Sequence, residues 1–192
     1  MIVSYNDLKE IRNKYKDKKI VITIGTFDLF HWEHLRYLID AKKLGDILVV
    51  VVKDDISVKS KGNNRPVICQ EQRIDIIDNL KCVDYSILAN FKLSTNEIDD
   101  LLQNNNTILD DTNKTWLINF FEIFKILKPD ILYHEGTEFL NDGRKFVAKL
   151  FGVKLVERER TEIVSTTKII KKIIKDNWMV TICNKLHKQF YI

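Results

Sequence analysis

The chain has 192 residues, 45% of them apolar and 30% charged, with six glycines and two prolines, which excludes collagen-like, low-complexity and wholly disordered classes. A chain of this length buries roughly 70% of its unfolded surface, so its core needs no disulfide or metal staple. The net charge is +4, but six Lys against one Asp from residue 168 onward make +5 and leave the remainder near −1. The basic tail reads as solvated helix faces, and no electrostatic footprint for nucleic acid is expected.

In chain order, residues 4–15 read as a helix, with Ser4 as N-cap and Asp7 three residues on. Residues 19–24 read as a buried strand, 34–44 as a helix and 47–52 as a second strand. That strand is a run of six apolar residues without alternation, the pattern of a strand covered on both faces. A helix over 71–80, a strand over 85–88, a helix over 116–127, a strand over 131–134, a helix over 144–151, a strand over 153–157 and a helix over 166–174 follow. Residues 93–115 read as an insertion whose Asn run, 104–106, predicts a loop, and 177–192 as a short extra element. Strand–helix alternation of this kind predicts an α/β domain over 19–175 with a five-stranded parallel sheet. It is preceded by a helical segment, 1–18, and followed by an extension, 176–192.

No apolar run approaches the roughly 20 residues of a membrane span, and the first residues lack the basic-then-apolar pattern of a signal peptide. Cys69, Cys82 and Cys183 form no CxxC pair. A disulfide framework and a Cys-rich zinc site are therefore not expected, and free thiols suit a reducing, cytoplasmic setting.

The stretch GTFDLFHWEH, residues 25–34, follows a predicted strand and opens a predicted helix. Helix-start amides and the helix dipole make that joint an anion site. His31 and His34, three residues apart in the first turn, lie on one side of it, where both can donate to one phosphate chain. Two other readings stand beside this one: the rings cap and pack the helix, or they form a metal pair with His134 or Glu33.

GTFDLFHWEH resembles the G-x-F-D-x-x-H-x-G-H signature of the nucleotidyltransferase superfamily, in its cytidylyltransferase-like branch. RTEIVSTT, residues 160–167, resembles that branch's R-T-E-G-I-S-T-T block. LGDILVVVVKDD, KGNNRPV and LKPDILYHEG are similar to segments of glycerol-3-phosphate cytidylyltransferases and of the adenylyltransferases of ADP-heptose synthesis. The resemblance implies a Rossmann-like three-layer sandwich, a homodimer, and attack of an acceptor phosphate on the α-phosphorus of CTP or ATP. A phosphate monoester is already nucleophilic at neutral pH, so the protein's task is to position two anions and spread the developing charge.

On the matching positions, the resemblance implies that His31 and His34 hold the reacting phosphates, Lys61 closes over them and Arg160 grips the triphosphate. Gly25, Thr26 and Phe27 form the triphosphate turn, and Asp28 orders it. Gly136 lies near the base, and Thr161, Ser165 and Thr166 supply a second anion-binding helix start. Lys59 and Arg73 face the acceptor phosphate, although Arg73 as an exposed helix residue paired with Asp75 or Asp78 serves equally. Mg²⁺ is expected as the companion of the triphosphate, with no acidic cage to hold it.

Two family glycines are replaced, by Glu33 and Ile163. Glu33 either points to solvent from the first helical turn or leaves the site weakened, lost or retuned, and Glu33→Gly is expected to raise kcat/KM. Three functions follow for test. The first is CMP transfer from CTP to a phosphorylated polyol or sugar. The second is adenylyl transfer from ATP to a heptose phosphate or similar sugar phosphate. The third is a nucleotide-binding module without turnover, with the Asn-rich insertion and basic tail free for a partner.

Overall fold

The computed structural model describes residues 1–59, 65–90, 92–136, 141–159 and 165–176. Six parallel strands form one sheet in the order β1-β4-β3-β2-β5-β6. They are β1 (Ile2–Val3), β2 (Ile20–Gly25), β3 (Ile47–Lys53), β4 (Tyr85–Ala89), β5 (Ile131–Glu135) and β6 (Lys154–Arg158). The helices are α1 (Leu8–Lys14), α2 (Trp32–Lys42), α3 (Asp55–Lys59), α4 (Gln70–Asp78), α5 (Thr95–Asn104), α6 (Asp111–Leu127), α7 (Asn141–Phe151) and α8 (Thr166–Asp176).

The sheet has one strand more than the sequence predicts. β1 contributes two residues, Ile2 and Val3, paired with Ser86 and Ile87 at the edge, and two residues carry no periodicity to read. The predicted strand over 47–52 is wholly buried. Val49 and Val51 face one layer and Leu48, Val50 and Val52 the other, each burial worth about 1.5–3 kcal/mol. The first layer carries Leu8 and Ile11 of α1, Ile98 of α5, Trp116 and Phe124 of α6 and Val147 of α7. The second carries Leu38 of α2 and Ile74 and Ile77 of α4. This is the expected three-layer α/β sandwich.

The segment 93–115 is mostly helix. Ser94 caps α5 by accepting from the Glu97 amide, while Glu97 accepts from Ser94 in return, and Asp110 caps α6 through the Asn113 amide at 2.7 Å. The Asn run closes α5 and turns the chain, with Asn106 in the left-handed region at φ 47°. The extension 177–192, with Cys183, lies outside the described residues. Among the described residues no helix is long and apolar enough to cross a membrane.

The chain leaves β2 for β3 and β4 on one side and returns to β5 and β6 on the other. β2 therefore sits at a topological switch point, where crevices form beyond the carboxyl ends. β2 pairs with β3 at every residue from Ile20 to Gly25, but its recorded register with β5 is only Val21 to Ile131 and Ile22 to Leu132. The two strands part toward that rim.

Candidate functional site

The turn from β2 into α2 is built by unusual backbone. Phe27 and Leu29 adopt the left-handed region, at φ 53° and 47°, which non-glycine residues enter only when surroundings hold them there. Phe27 lays its ring over Gly25, and a Cβ at residue 25 would collide with that ring. Glycine is required here by a close approach.

Asp28 locks the turn from beneath. Its buried carboxylate accepts from the Val67 and Ile68 amides at 3.0–3.1 Å and from Arg65 Nη1 at 2.8 Å. Burial pushes this carboxyl up, but the two amides and the guanidinium outweigh it and hold it below the usual carboxylate range. Asp28 thus ties the turn to the segment before α4. The backbone carbonyl of Asp28 accepts from Thr166 Oγ1 at 2.8 Å. Ser165 Oγ caps α8 by accepting from the Lys168 amide at 3.2 Å, and Arg65 Nη2 reaches Thr167 Oγ1 at 3.5 Å. The two ends of the motif pattern, 138 residues apart, therefore meet at one rim.

His31 is the N-cap residue of α2 and makes no side-chain capping bond, so the first amides of that helix keep their donors. The His31 and His34 rings stack at 3.8 Å between centroids, with Phe27 and Phe30 each 5.6 Å from His34. Burial pushes His34 down to about 4; the His31 ring adds to this and the Asp28 carboxylate opposes it. Burial also lowers His31, against the Glu33 carboxylate. His34 is therefore neutral near pH 7 in the free protein. Nδ1 of each ring is buried with no hydrogen-bond partner among the described residues. Buried polar nitrogens of this kind ordinarily have one.

Glu33 does not point to solvent. It is buried, and Oε2 accepts from Arg158 Nη2 at 3.1 Å, at the end of β6. The carboxylate that replaces a family glycine is thus neutralised from across the sheet. Trp32, one residue earlier, is 52% exposed, with the Arg36 guanidinium 5.1 Å from its ring centroid.

Arg73 corrects both of its sequence readings. It is fully buried, neither exposed beside Asp75 or Asp78 nor available to an acceptor phosphate. Nε donates to the Ile68 carbonyl at 2.9 Å, Nη1 to the Thr26 carbonyl, and Nη2 to the Lys53 carbonyl at 2.8 Å and to Asp55 at 2.7 Å. One guanidinium fork joins the turn after β2, the end of β3 and the segment before α4.

Lys59 is exposed at the end of α3. Gly136 follows β5 and donates its amide to the Arg158 carbonyl at 3.1 Å. Lys61, Arg160, Thr161 and Ile163 lie outside the described residues. The sequence reading missed Arg65, although KGNNRPV contains it, and Arg158, which no local pattern marks. Among the described residues no group of three His, Cys, Asp or Glu side chains is placed to hold a metal ion.

A family model described as cytidylyltransferase-like matches residues 22–172. The chain is 37% identical over 164 residues to the bifunctional protein HldE of Campylobacter jejuni subsp. doylei, covering 83% of this chain and 29% of that protein. It is 31% identical over 164 residues to the FAD synthase of Methanothrix thermoacetophila, covering 81% of this chain and 94% of that one. The chain thus spans about three tenths of the length of the HldE proteins it matches. The crystal structure of pantoate-β-alanine ligase from Francisella tularensis, complexed with β-γ ATP and β-alanine, shares the fold. Its TM-score is 0.60 at 18% identity, over 84% of this chain and 67% of that one.

Proposed function

Because this chain belongs to the cytidylyltransferase-like family of the nucleotidyltransferase superfamily, we propose that it transfers a nucleotidyl group from a nucleoside triphosphate to the phosphate of a small sugar or polyol. An acceptor phosphate oxygen bonds to the α-phosphorus, the α–β bridging bond breaks, and pyrophosphate leaves with its electron pair. The carrying observation is the stacked His31 and His34 pair at an uncapped helix N-terminus on the switch-point rim. Donors and dipole there face the place where charge develops.

In this reading the triphosphate lies against the α2 start, and its charge raises the low imidazole pKa of His34 so that the ring donates as a cation. Thr26 and Phe27 lend backbone amides. Ser165, Thr166 and the α8 start approach from the other side, and the family resemblance assigns Lys61, Arg160 and Thr161 to the nucleotide and Lys59 to the acceptor. Arg73 and Asp28 are positioning residues that hold the turn. The described residues offer no carboxylate cage for Mg²⁺, and Asp28 is already satisfied by Arg65 and two amides. Mg²⁺ enters this proposal as the companion of the triphosphate.

For the nucleotide, the RTEIVSTT block favours CTP. The similarity to FAD synthase, whose named product contains an AMP group, favours ATP. It runs over 164 residues, against the eight of RTEIVSTT, so adenylyl transfer is the first reading and cytidylyl transfer the second. Thermal stabilisation by ATP and by CTP, each with Mg²⁺, separates them. A ligand at about 100 times its Kd adds about 2.7 kcal/mol. Pyrophosphate release across a panel of sugar and polyol phosphates then tests turnover. Stabilisation by neither nucleotide overturns the proposal, and stabilisation without release leaves the binding-module reading.

A further inference from the structure

β2 reads Ile20-Val21-Ile22-Thr23-Ile24-Gly25, and Thr23 is the one polar side chain in it. It is fully buried on the α2 face of the sheet, because Val21, two residues before it, belongs to the layer under α2 and α4. A buried hydroxyl needs a partner. Thr23 finds one in the buried Tyr37 of α2, whose hydroxyl also reaches the Tyr133 carbonyl of β5 at 2.9 Å. Proton count gives this relay one direction. Tyr37 donates its only hydroxyl proton to the carbonyl, so its oxygen accepts from Thr23. The Tyr37 and Tyr133 rings stack at 4.9 Å between centroids, so the phenol is held along its ring as well as at its tip.

This bridge stands where β2 and β5 stop pairing. Their register runs Val21 to Ile131 and Ile22 to Leu132, and one further step would set Thr23 against Tyr133. At that step the two strands are joined through the tyrosine. The neighbouring seams stay paired to the rim: β2 with β3 as far as Gly25 and Val52, and β5 with β6 as far as Glu135 and Arg158. The opening is confined to one seam, and a side chain of α2 sits at its apex. Tyr37 also lies one turn after His34, about 4.5 Å along the helix axis and on the same side. The buried α2 residues that follow it, Leu38 and Ala41, are apolar, and apolar packing is non-directional. The Tyr37 hydroxyl therefore supplies the directional anchor next to the histidine turn.

We infer that Tyr37 is a positioning residue for nucleotidyl transfer: by bridging Thr23 and Tyr133 its hydroxyl holds the β2–β5 seam open and aims the His31 and His34 turn at the phosphates. The inference rests on the transfer reading above and deepens it. A misplacement of about 1 Å among reacting groups costs on the order of 10²-fold in rate, so an anchor one turn from two phosphate-binding rings bears on rate without touching substrate.

The test compares Tyr37→Phe and Thr23→Val, which break the bridge, with Thr23→Ser, which keeps its hydroxyl, and with Ile98→Val, a core truncation in the opposite layer. Proton NMR of the His31 and His34 imidazoles reads the geometry of their 3.8 Å stack without any nucleotide. The bridge-breaking variants are expected to shift those resonances, and Thr23→Ser and Ile98→Val to leave them in place. Tyr37→Phe is expected to bind ATP or CTP, with Mg²⁺, about tenfold more weakly. Its kcat is expected to fall about tenfold or more at a nearly unchanged acceptor KM. Unmoved resonances in folded Tyr37→Phe, an equal shift in Ile98→Val, or an effect on acceptor KM alone overturns the inference. If Tyr37→Phe does not fold, Thr23→Val against Thr23→Ser decides. If neither ATP nor CTP binds the unmodified protein, the transfer reading falls, and the imidazole resonances still decide whether Tyr37 sets the histidine turn.

Discussion

Replacing Glu33 tests whether the buried pair with Arg158 compensates for the missing motif glycine. The two charged groups are 3.1 Å apart, with side chains 6% and 14% exposed. At that spacing their attraction is about 5 kcal/mol at an effective dielectric of 20, and deleting one member of such a pair costs about 3–5 kcal/mol because the other stays buried and uncompensated. Glu33→Gln and Arg158→Met should therefore each lose about 3 kcal/mol or more in urea unfolding, read as a lower midpoint at constant m-value. Glu33→Gly should lose about 1 kcal/mol further, for a glycine in the first turn of α2. The double variant Glu33→Gln/Arg158→Met should be no less stable than either single one, since exchanging both members leaves no orphaned charge. Single losses below about 1 kcal/mol, or strictly additive ones, would refute the pair as a closed, buried unit. The catalytic expectation changes with it. Glu33→Gly no longer simply opens a glycine space; it exposes the triphosphate to an unneutralised Arg158, so nucleotide affinity should rise while stability falls.

The low pKa of His34 sets a pH dependence whose sign follows from linkage. The unfolded ring titrates near 6.5 and the folded one at about 4. Between those values the unfolded state binds more protons, so stability falls as pH falls. The loss reaches about 3 kcal/mol by pH 4, and His34→Gln should flatten that part of a urea-midpoint profile. Bound triphosphate should move the His34 titration upward by NMR, and an unchanged titration would remove the ring from the phosphate site. Arg73→Lys should cost about 3 kcal/mol or more, because an ammonium cannot span the Thr26, Lys53 and Ile68 carbonyls and the Asp55 carboxylate from one buried position. Thermal unfolding reads that loss, and an unchanged midpoint would show that the fork is dispensable.

The parts of this protein legible in its sequence are those encoded by short spacings. Residues 47–52 announce a doubly covered strand because six consecutive apolar side chains fill both faces. His31 and His34 announce a site because three residues make one turn. The Ser94 and Glu97 capping box was equally local, but the Asn run beside it drew the segment toward a loop, and only the last of those asparagines adopts the left-handed turn. What stayed hidden depends on partners far along the chain. An arginine on a polar helix face is ordinarily exposed. Arg73 is buried because three turn carbonyls brought together by the sheet order need a donor, and that convergence exists only in the fold. Glu33 is the clearest instance. Read locally, a carboxylate in a phosphate-binding turn is a defect; its neutralising guanidinium lies 125 residues away on the far strand. Local spacing therefore specifies which groups can meet a triphosphate. Whether their charges are tolerable depends on β6 delivering Arg158 to the same rim, so residues 33 and 158 act as one unit that neither position discloses alone.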